Sequence, residues 1–327
     1  MTENLLGQKG LYMRKRVLAM AGVSSVLLLA ACGGQTPAPV ASGSVNAASG
    51  AKLVAVVAAA ASSSSTSSSA SSAASSSSAA PVNSAYVPAG YKLIWNDEFS
   101  TDGAPDPKKW GYDAWANYYD VSNGEKQYYA ANRLQNAHVQ GGYLYITAKK
   151  EDLTGWPSYQ GQHYSSARLW TYAHEAWTYG FFEVRARMPC GAGSWPAIWT
   201  LGTNASWPKG GEIDIMEQLG RTPSTIYGTV HDSAYPQPGV GSTKTVLDAC
   251  SNFHDYQMTW TADRIDIGID GVVYQSYFNN HTTTDQWPFN SPQYLLLNVA
   301  MGGWGGTIDD TSLPSSMLVD YVRVYQK

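Results

Sequence analysis

Charged residues are sparse in this 327-residue chain: Asp, Glu, Lys and Arg make up 14% of it, and the net charge is −4. No basic patch is large enough to bind nucleic acid, which argues against that class of partner. No stretch has a convincing long helical period, and no internal repeat is evident. These absences argue against a helical fold and against a repeat architecture.

Aromatic residues are abundant instead. The chain has 12 Trp and 22 Tyr, and in its last part they accompany Gly, Asn and Asp rather than runs of Leu. Such residues can simply form a core. Flat, partly exposed rings also suit the C–H faces of sugar rings, so the composition is compatible with a saccharide ligand.

The first 32 residues have the pattern of an export signal. A basic stretch at 14–16 precedes an apolar stretch at 17–31, which is too short to span a bilayer comfortably. The apolar stretch ends in Leu-Ala-Ala-Cys-Gly, which resembles the bacterial lipobox, where the signal is cut before a Cys that then receives lipid. We predict a lipoprotein signal peptide over residues 1–32 with lipidation at Cys32; a plain signal peptide with a chance Cys is the alternative.

Residues 33–85 are rich in Ala and Ser and of low complexity, so we predict a disordered linker. Residues 86–327 then form one domain, long enough to bury most of its apolar surface. The mature protein is expected to be exported, at the outer membrane or cell surface of a bacterium. We expect its lipid anchor to be its only membrane contact, and we expect a monomer.

Two further cysteines lie in the predicted domain. In an oxidising compartment Cys190 and Cys250 either pair or stay as two buried thiols, and the sequence leaves both alternatives open. A bridge would close a loop of about 60 residues and contribute about 4 kcal/mol to stability. Neither has a second Cys or His at ligand spacing, which argues against a metal site.

The domain is predicted to be all-β. Several segments alternate apolar and polar residues over five to eight positions and are bounded by Gly, Pro, Asn or Asp. Examples are 143–148, 180–187, 264–269 and 317–325. Many short strands with turns between them favour a sandwich of two antiparallel sheets.

Three acids occur close together in the segment Gly-Gly-Glu-Ile-Asp-Ile-Met-Glu-Gln at 210–218. On a regular strand Glu212 and Asp214 share a face, while Glu217 would point into the core with the isoleucines. A buried unpaired carboxylate is costly. A β-bulge near Met216 would restore the parity and bring Glu217 to the face of the other acids.

Such a row of carboxyl groups suits glycoside hydrolysis, which uses one carboxylate as nucleophile and one carboxylic acid as proton donor. Acids this close cannot all ionise freely, so at least one pKa is expected to rise. The alternatives are a solvated acidic strand face or a calcium site. The acids alone do not decide between these interpretations.

Longer segments carry a resemblance to a known family. The chain resembles the laminarinase-type (endo-1,3-β-glucanase) branch of glycoside hydrolase family 16, over nearly all of residues 91–327. The matching segments, in the expected order, are GFFEVRARMP at 180–189, WPAIWTLG at 195–202, GEIDIMEQLG at 211–220, FHDYQMTW at 253–260, NVAMGGWGG at 298–306 and VDYVRVYQ at 319–326.

The resemblance implies a jelly-roll sandwich of the concanavalin A-like type, whose concave sheet forms a glycan cleft. It implies retention of configuration, with Glu212 as nucleophile, Asp214 as the residue that tunes it and Glu217 as acid/base. No cofactor is expected for catalysis.

The resemblance also assigns substrate-binding residues. Trp195 and Trp199 align with cleft aromatics, His231 with a cleft residue near the acid/base, and Trp304 belongs to the last glycine-rich motif. Core packing is the alternative for each Trp. Asn123 corresponds to a donor-side residue, although Val121 and Ser122 stand where an aromatic and a Gly are usual.

Many relatives hold a structural calcium ion on the convex face. The corresponding positions here are Glu98, the backbone of Gly142, and Asp320. Hard oxygen ligands suit Ca²⁺, and a structural salt link is the alternative.

The function predicted from the sequence is endo-acting, retaining hydrolysis of β-1,3-glucan or mixed-linkage β-1,3-1,4-glucan. A sulfated-galactan hydrolase of the agarase or carrageenase type is the close alternative, although the chain has no obvious basic cluster for sulfates. A transglycosylase differs only in which hydroxyl resolves the intermediate. A non-catalytic glucan-binding protein is the alternative of a different class.

Overall fold

The computed structural model describes residues 84–119, 123–172 and 174–327. The predicted signal peptide, the lipidation site Cys32 and all but the last two residues of the predicted linker lie outside the described residues. Within the described part, no helix is both long and apolar enough to cross a membrane.

Strands dominate the described residues, and one four-residue α-helix, α1 (Ala116–Tyr119), accompanies them. The strands are β1 (Lys92–Asp97), β2 (Gly111–Tyr112), β3 (Gln127–Tyr129), β4 (Ala137–Gln140), β5 (Tyr143–Lys150), β6 (Tyr164–Ser166), β7 (Arg168–Trp170), β8 (Gly180–Arg187), β9 (Ser194–Gly202), β10 (Glu212–Leu219), β11 (Thr222–His231), β12 (Val240–Thr245), β13 (His254–Trp260), β14 (Arg264–Ile269), β15 (Val272–Phe278), β16 (Gln293–Met301) and β17 (Ser315–Gln326). Two 3₁₀ turns lie at Gly303–Gly305 and Asp310–Ser312.

The strands form two sheets. The first has ten strands. Eight follow the order β15-β14-β13-β8-β17-β5-β6-β3, and the other two lie off this path, with β1 paired to β17 and β4 to β5. The second has seven, in the order β12-β11-β10-β9-β16-β7-β2. All strand pairs are antiparallel except β3 with β6, so the predicted two-sheet antiparallel sandwich is confirmed with one parallel pair at the edge of the larger sheet.

The core lies between the sheets and is filled by the alternate, inward-facing residues of both. Ile213 and Ile215 of β10 pack in the same apolar cluster as Phe182 and Val184 of β8. Full burial of such side chains is the main stabilising contribution, about 1.5–3 kcal/mol each. The opposite face of the seven-stranded sheet is therefore free to carry polar and aromatic groups.

A disulfide joins Cys190, which follows β8, to Cys250 before β13, with 5.6 Å between the two Cα atoms. The side-chain amide of Gln218 contacts the Cys190 sulfur at 3.1 Å and donates to the Pro189 carbonyl at 3.0 Å. Gln218 directly follows Glu217 in β10. The bridge thus borders the end of the strand that carries the three acids.

Candidate active site

Strand β10 contains the bulge that the parity of its acids predicts. Against β9, the register moves from Asp214 opposite Trp199 to Met216 opposite Ile198, so two residues of β10 match one step of β9. The register against β11 shifts between Asp214 and Glu217. This extra residue turns Glu217 onto the face of the other two acids.

The bulge also explains why two adjacent side chains enter the core. Ile215 and Met216 are both fully buried in the apolar cluster between the sheets. Glu212, Asp214 and Glu217 keep 9%, 3% and 8% of their surface exposed. The acids therefore line a largely water-excluded part of this face rather than a solvated strand surface.

His231 of β11 lies opposite Glu212 and contacts Asp214. Its Nε2 is 3.0 Å from Asp214 Oδ2, and its Nδ1 is 3.0 Å from the Pro236 carbonyl oxygen. The Pro236 carbonyl can only accept, so Nδ1 carries a proton, while Nε2 lies at ion-pair distance from the Asp214 carboxylate. Burial by itself would lower the pKa of His231, but the hydrogen bond and charge of Asp214, with the charge of Glu212 added, raise it to about 10. His231 is thus an imidazolium at neutral pH.

One atom each of Glu212, Asp214 and His231 lies within 4.8 Å of the others, a spacing that a metal ion could use. A metal-bound imidazole must offer a lone pair, however. Here Nδ1 donates to the Pro236 carbonyl, and Nε2 forms an ion pair with Asp214. This trio therefore fits a charge-balanced cluster better than a metal centre.

Glu217 carries the group best suited to donate a proton. Burial raises its pKa well above the usual value, and the negative charge of Asp214 adds to the rise, while a hydrogen bond from Trp195 opposes it. The indole Nε1 of Trp195 donates to Glu217 Oε1 at 2.8 Å. Trp195 therefore orients the carboxyl group, in addition to the sugar contact that the sequence predicts.

Trp199 lies on the same face one strand away, opposite Asp214. Its indole Nε1 donates to Asn298 Oδ1 at 2.8 Å, and the Arg168 guanidinium lies 4.5 Å from its ring centre. Arg168 is itself paired with Asp113 at 3.1 Å. The predicted cleft aromatic is thus fixed on two sides, half-buried, with its neighbours on β16 and β7.

A buried polar network continues from Asn298 towards Asn123. The Asn298 amide donates to the Tyr129 hydroxyl at 3.1 Å. Glu125 accepts from Gln127 at 2.7 Å and from the Asn123 side chain at 3.1 Å. Asn123 is thereby held at the margin of the concave face, and its amide nitrogen already has a protein partner.

Trp304 lies on the 3₁₀ turn after β16 and is 38% exposed. Its ring meets Trp195 edge-on at 5.7 Å between centroids and lies 4.9 Å from Tyr227. Since Tyr227 pairs with Glu217 across β10 and β11, these rings border the Glu217 end of the acid row.

The three positions predicted for calcium lie at strand ends or at a break in pairing of neighbouring strands in the larger sheet. Strand β17 pairs with β5 up to Val319 and with β1 from Val322 onward, which leaves Asp320 between them. Glu98 follows β1, and Gly142 precedes β5. Both Glu98 oxygens accept from Arg323, each at 2.8 Å, so the salt-link alternative is present.

Burial raises the pKa of Asp320, Arg185 opposes the rise and the charge of Glu98 adds to it. The carboxylate-rich donor set is of the kind that Ca²⁺ uses.

The structure brings the predicted acids together with Trp195, Trp199, His231 and Trp304, and sets Glu98, Gly142 and Asp320 elsewhere. Sequence reasoning missed four polar residues that hold this face: Asp113, Glu125, Tyr129 and Arg168. Only Arg168 could have been recognised from the sequence, because a charged residue between apolar neighbours in Ala-Arg-Leu-Trp indicates a functional or paired group. The others are recognisable only once the strands are paired.

Residues 123–323 match the family model of glycosyl hydrolases family 16. The chain is similar to a beta-glucanase of Rhodothermus marinus, with 42% identity over 252 residues that cover 72% of this chain and 85% of that protein. It is also similar to the crystal structure of a mutant of SCLam, a non-specific endo-beta-1,3(4)-glucanase from family GH16, that was co-crystallized with 1,3-beta-D-cellotriosyl-glucose. That likeness has a TM-score of 0.72 and 51% identity, over 74% of this chain and 96% of the other. The X-ray structure of the laminarinase from Rhodothermus marinus matches with a TM-score of 0.67 and 42% identity, over 72% and 97% of the two chains.

Proposed function

The chain belongs to glycosyl hydrolases family 16, and on that premise we propose that it is an endo-acting β-1,3-glucanase that retains anomeric configuration. It is a glycoside hydrolase whose relatives include β-glucanases and laminarinases. The observation that carries the proposal is the bulged strand β10, which sets three largely buried carboxyl groups on one concave face. That arrangement suits double displacement.

In the first step Glu217 gives its proton to the glycosidic oxygen as the bond from that oxygen to the anomeric carbon breaks. The Glu212 carboxylate forms a bond to the same carbon from the opposite side, which yields a glycosyl ester. Burial and the charge of Asp214 raise the pKa of Glu217, which favours the protonated form that this step needs. The hydrogen bond from Trp195 directs the carboxyl group.

In the second step water attacks the anomeric carbon while Glu217, now a carboxylate, takes a proton from it. The ester bond to Glu212 breaks, and the released sugar has its original configuration. Asp214 lies between the two glutamates and is paired with His231. The imidazolium thereby compensates one negative charge in the cluster, which helps Glu212 to remain ionised beside Asp214.

The cleft favours a neutral glycan. One guanidinium, that of Arg168, is already paired with Asp113 and lies over Trp199, so it is poorly placed to recognise a sulfate. A second, that of Arg221, lies 5.9 Å from the ring centre of Trp304. Trp195, Trp199 and Trp304 supply aromatic surface for sugar rings. These features favour β-glucan over the sulfated-galactan alternative.

Chromatography of the products that the full-length protein releases from laminarin, lichenan, agarose and carrageenan tests the substrate. We expect short oligosaccharides from laminarin, at most traces with Glu217→Gln, and retained laminarin binding by that variant. The loss should be about 10²–10⁴-fold, the usual contribution of a general acid. Cleavage of a galactan alone would refute the substrate, and binding without cleavage by the wild type would support the binding-protein alternative.

We further propose that Asp320, the Gly142 carbonyl and Glu98 bind a structural calcium ion, with Glu98 exchanging Arg323 for the ion. The mutual repulsion of the two carboxylates is the support, because a divalent cation would relieve it. Chelation should then lower the melting temperature, and Asp320→Asn should remove that sensitivity. A melting temperature unchanged by chelator would contradict the proposal.

For the export segment we propose lipidation at Cys32, with the mature, monomeric protein anchored to the cell envelope. The support is the Leu-Ala-Ala-Cys-Gly sequence after an apolar stretch. Metabolic labelling with a fatty acid in a bacterial host should label the wild type and not Cys32→Ser. Label on both proteins, or on neither, would contradict it.

A further inference from the structure

A group of three aromatic residues lies on the concave face beyond the residues so far described. Trp170 and Tyr294 meet edge-on with centroids 6.1 Å apart, Tyr172 and Tyr294 are 4.9 Å apart, and Trp170 and Tyr172 are 5.0 Å apart. We call these three residues the outer aromatic group. Trp170 and Tyr172 are half-buried, whereas Tyr294 is buried beneath them.

The strand register shows which face the outer aromatic group occupies. Trp170 of β7 lies opposite Leu296 of β16, and Leu296 lies opposite Trp199 of β9, the residue paired with Asp214. Directly paired residues share a face of a sheet. Likewise, Tyr294 of β16 is paired with Leu201 of β9, and Leu201 is paired with Glu212 of β10. The outer aromatic group is therefore on the face of the acids.

The register also gives the distance from the reaction. Strand β7 is three steps from β10 along the sheet order, and neighbouring strands are about 4.8 Å apart. Trp170 thus lies about 14 Å from the acid row, and Tyr294, on β16, about 10 Å. A sugar bound there is separated from the scissile bond by further sugar rings.

Glycine makes room for the ring at the sheet margin. Gly111 of β2 pairs with Trp170, and a Cβ at that position would lie 2.5 Å from the Trp170 indole nitrogen. The indole therefore lies close over the backbone of the last strand. With Arg168 and Trp199 between it and the acids, the aromatic surface continues across the sheet.

We propose that the outer aromatic group is a remote subsite that binds a sugar ring of a long β-glucan chain and favours long substrates over short ones. The proposal rests on the proposed glucanase function. A contact this far from the anomeric carbon is the same in ground and transition states, so it should affect kcat/KM mainly through KM. Short substrates cannot reach it and gain nothing from it.

The test compares two substrates for the full-length protein: long laminarin, and an aryl β-laminaribioside whose release can be followed by absorbance. For Trp170→Ala we expect kcat/KM on laminarin to fall about tenfold, within the range that one aromatic contact supplies. Activity on the short substrate should stay within about twofold, which also shows that the variant is folded. Trp170→Phe should recover most of the activity on laminarin.

Phe278→Ala is the matched control, since Phe278 is an exposed aromatic on β15 of the other sheet; it should leave both substrates unaffected. An equal loss on both substrates, or no loss on laminarin, overturns the proposal. If Trp170→Ala is unfolded, Tyr172→Ala takes its place with the same expectation. Failure of the wild type to cleave any β-1,3-glucan would instead refute the proposed function.

Discussion

The surroundings of His231 favour a positive charge within the acid cluster. The Pro236 carbonyl accepts from Nδ1, and Nε2 forms an ion pair with Asp214. The carbonyl thus fixes the proton on Nδ1, and the neighbouring carboxylates favour a second proton on Nε2. The cluster contains its own counter-ion and needs no metal to balance Asp214.

This charge makes stability depend on pH in a defined direction. The pKa of His231 is raised from 6.5 to about 10 in the folded protein. Its contribution is thus complete below about pH 6.5 and is lost as the pH rises towards 10. Melting temperatures of wild type and His231→Gln should differ most at pH 6 and converge by about pH 10. A constant difference over that range would contradict the charged state.

On the scale of single strands, the sequence and the structure agree best where periodicity is long. The predicted segments 180–187 and 264–269 coincide with β8 and β14. The bulge in β10 was predictable because regular parity would bury Glu217 in the core. Apolar and polar residues alternate along this segment except at Glu217, and that one exception predicts the bulge without knowledge of any tertiary contact.

Short strands carried no such signal. In the stretch 164–170, β6 joins the larger sheet and β7 the smaller one, with Ala167 between them. Three residues are too few to show a period, so the change of sheet was not predictable. The roles of Arg168 and Trp170 in the cleft depend on that crossing.

The bulge yields a test by deletion. Removing Met216 leaves Ile215 as the one core residue between Asp214 and Glu217, so both acids stay on the cleft face. We expect measurable activity, at a cost of about 2–5 kcal/mol in stability for the lost buried side chain. Removing Ile213 should instead turn Asp214 towards the core and abolish activity. Equal inactivity of two folded deletion variants would contradict this account of the strand.

Over the whole molecule, the Cys190–Cys250 bridge joins segments that flank the acid-bearing strand. The sequence could not choose between a bridge and two thiols, because pairing depends on how β8 and β13 are brought together. The bridge spans 60 residues, for which loop-closure entropy corresponds to about 4 kcal/mol.

Cys250→Ser together with Cys190→Ser should lower the melting temperature by about 10 °C. Wild-type protein under reducing conditions should melt like this double variant. The measurement is thermal denaturation followed by circular dichroism with and without reductant. Equal melting of oxidised wild type and double variant would show that the bridge contributes nothing.

The proposed mechanism requires Glu212 of the bulged strand to be the nucleophile and Glu217 the acid/base. The glycosyl ester can be trapped by treating the full-length protein with an activated 2-deoxy-2-fluoro-β-laminaribioside, and its position found by fragmenting the labelled peptide in a mass spectrometer. We expect one added glycosyl group, located on Glu212. A label on Glu217, or cleavage of laminarin with inversion and without any label, would contradict it.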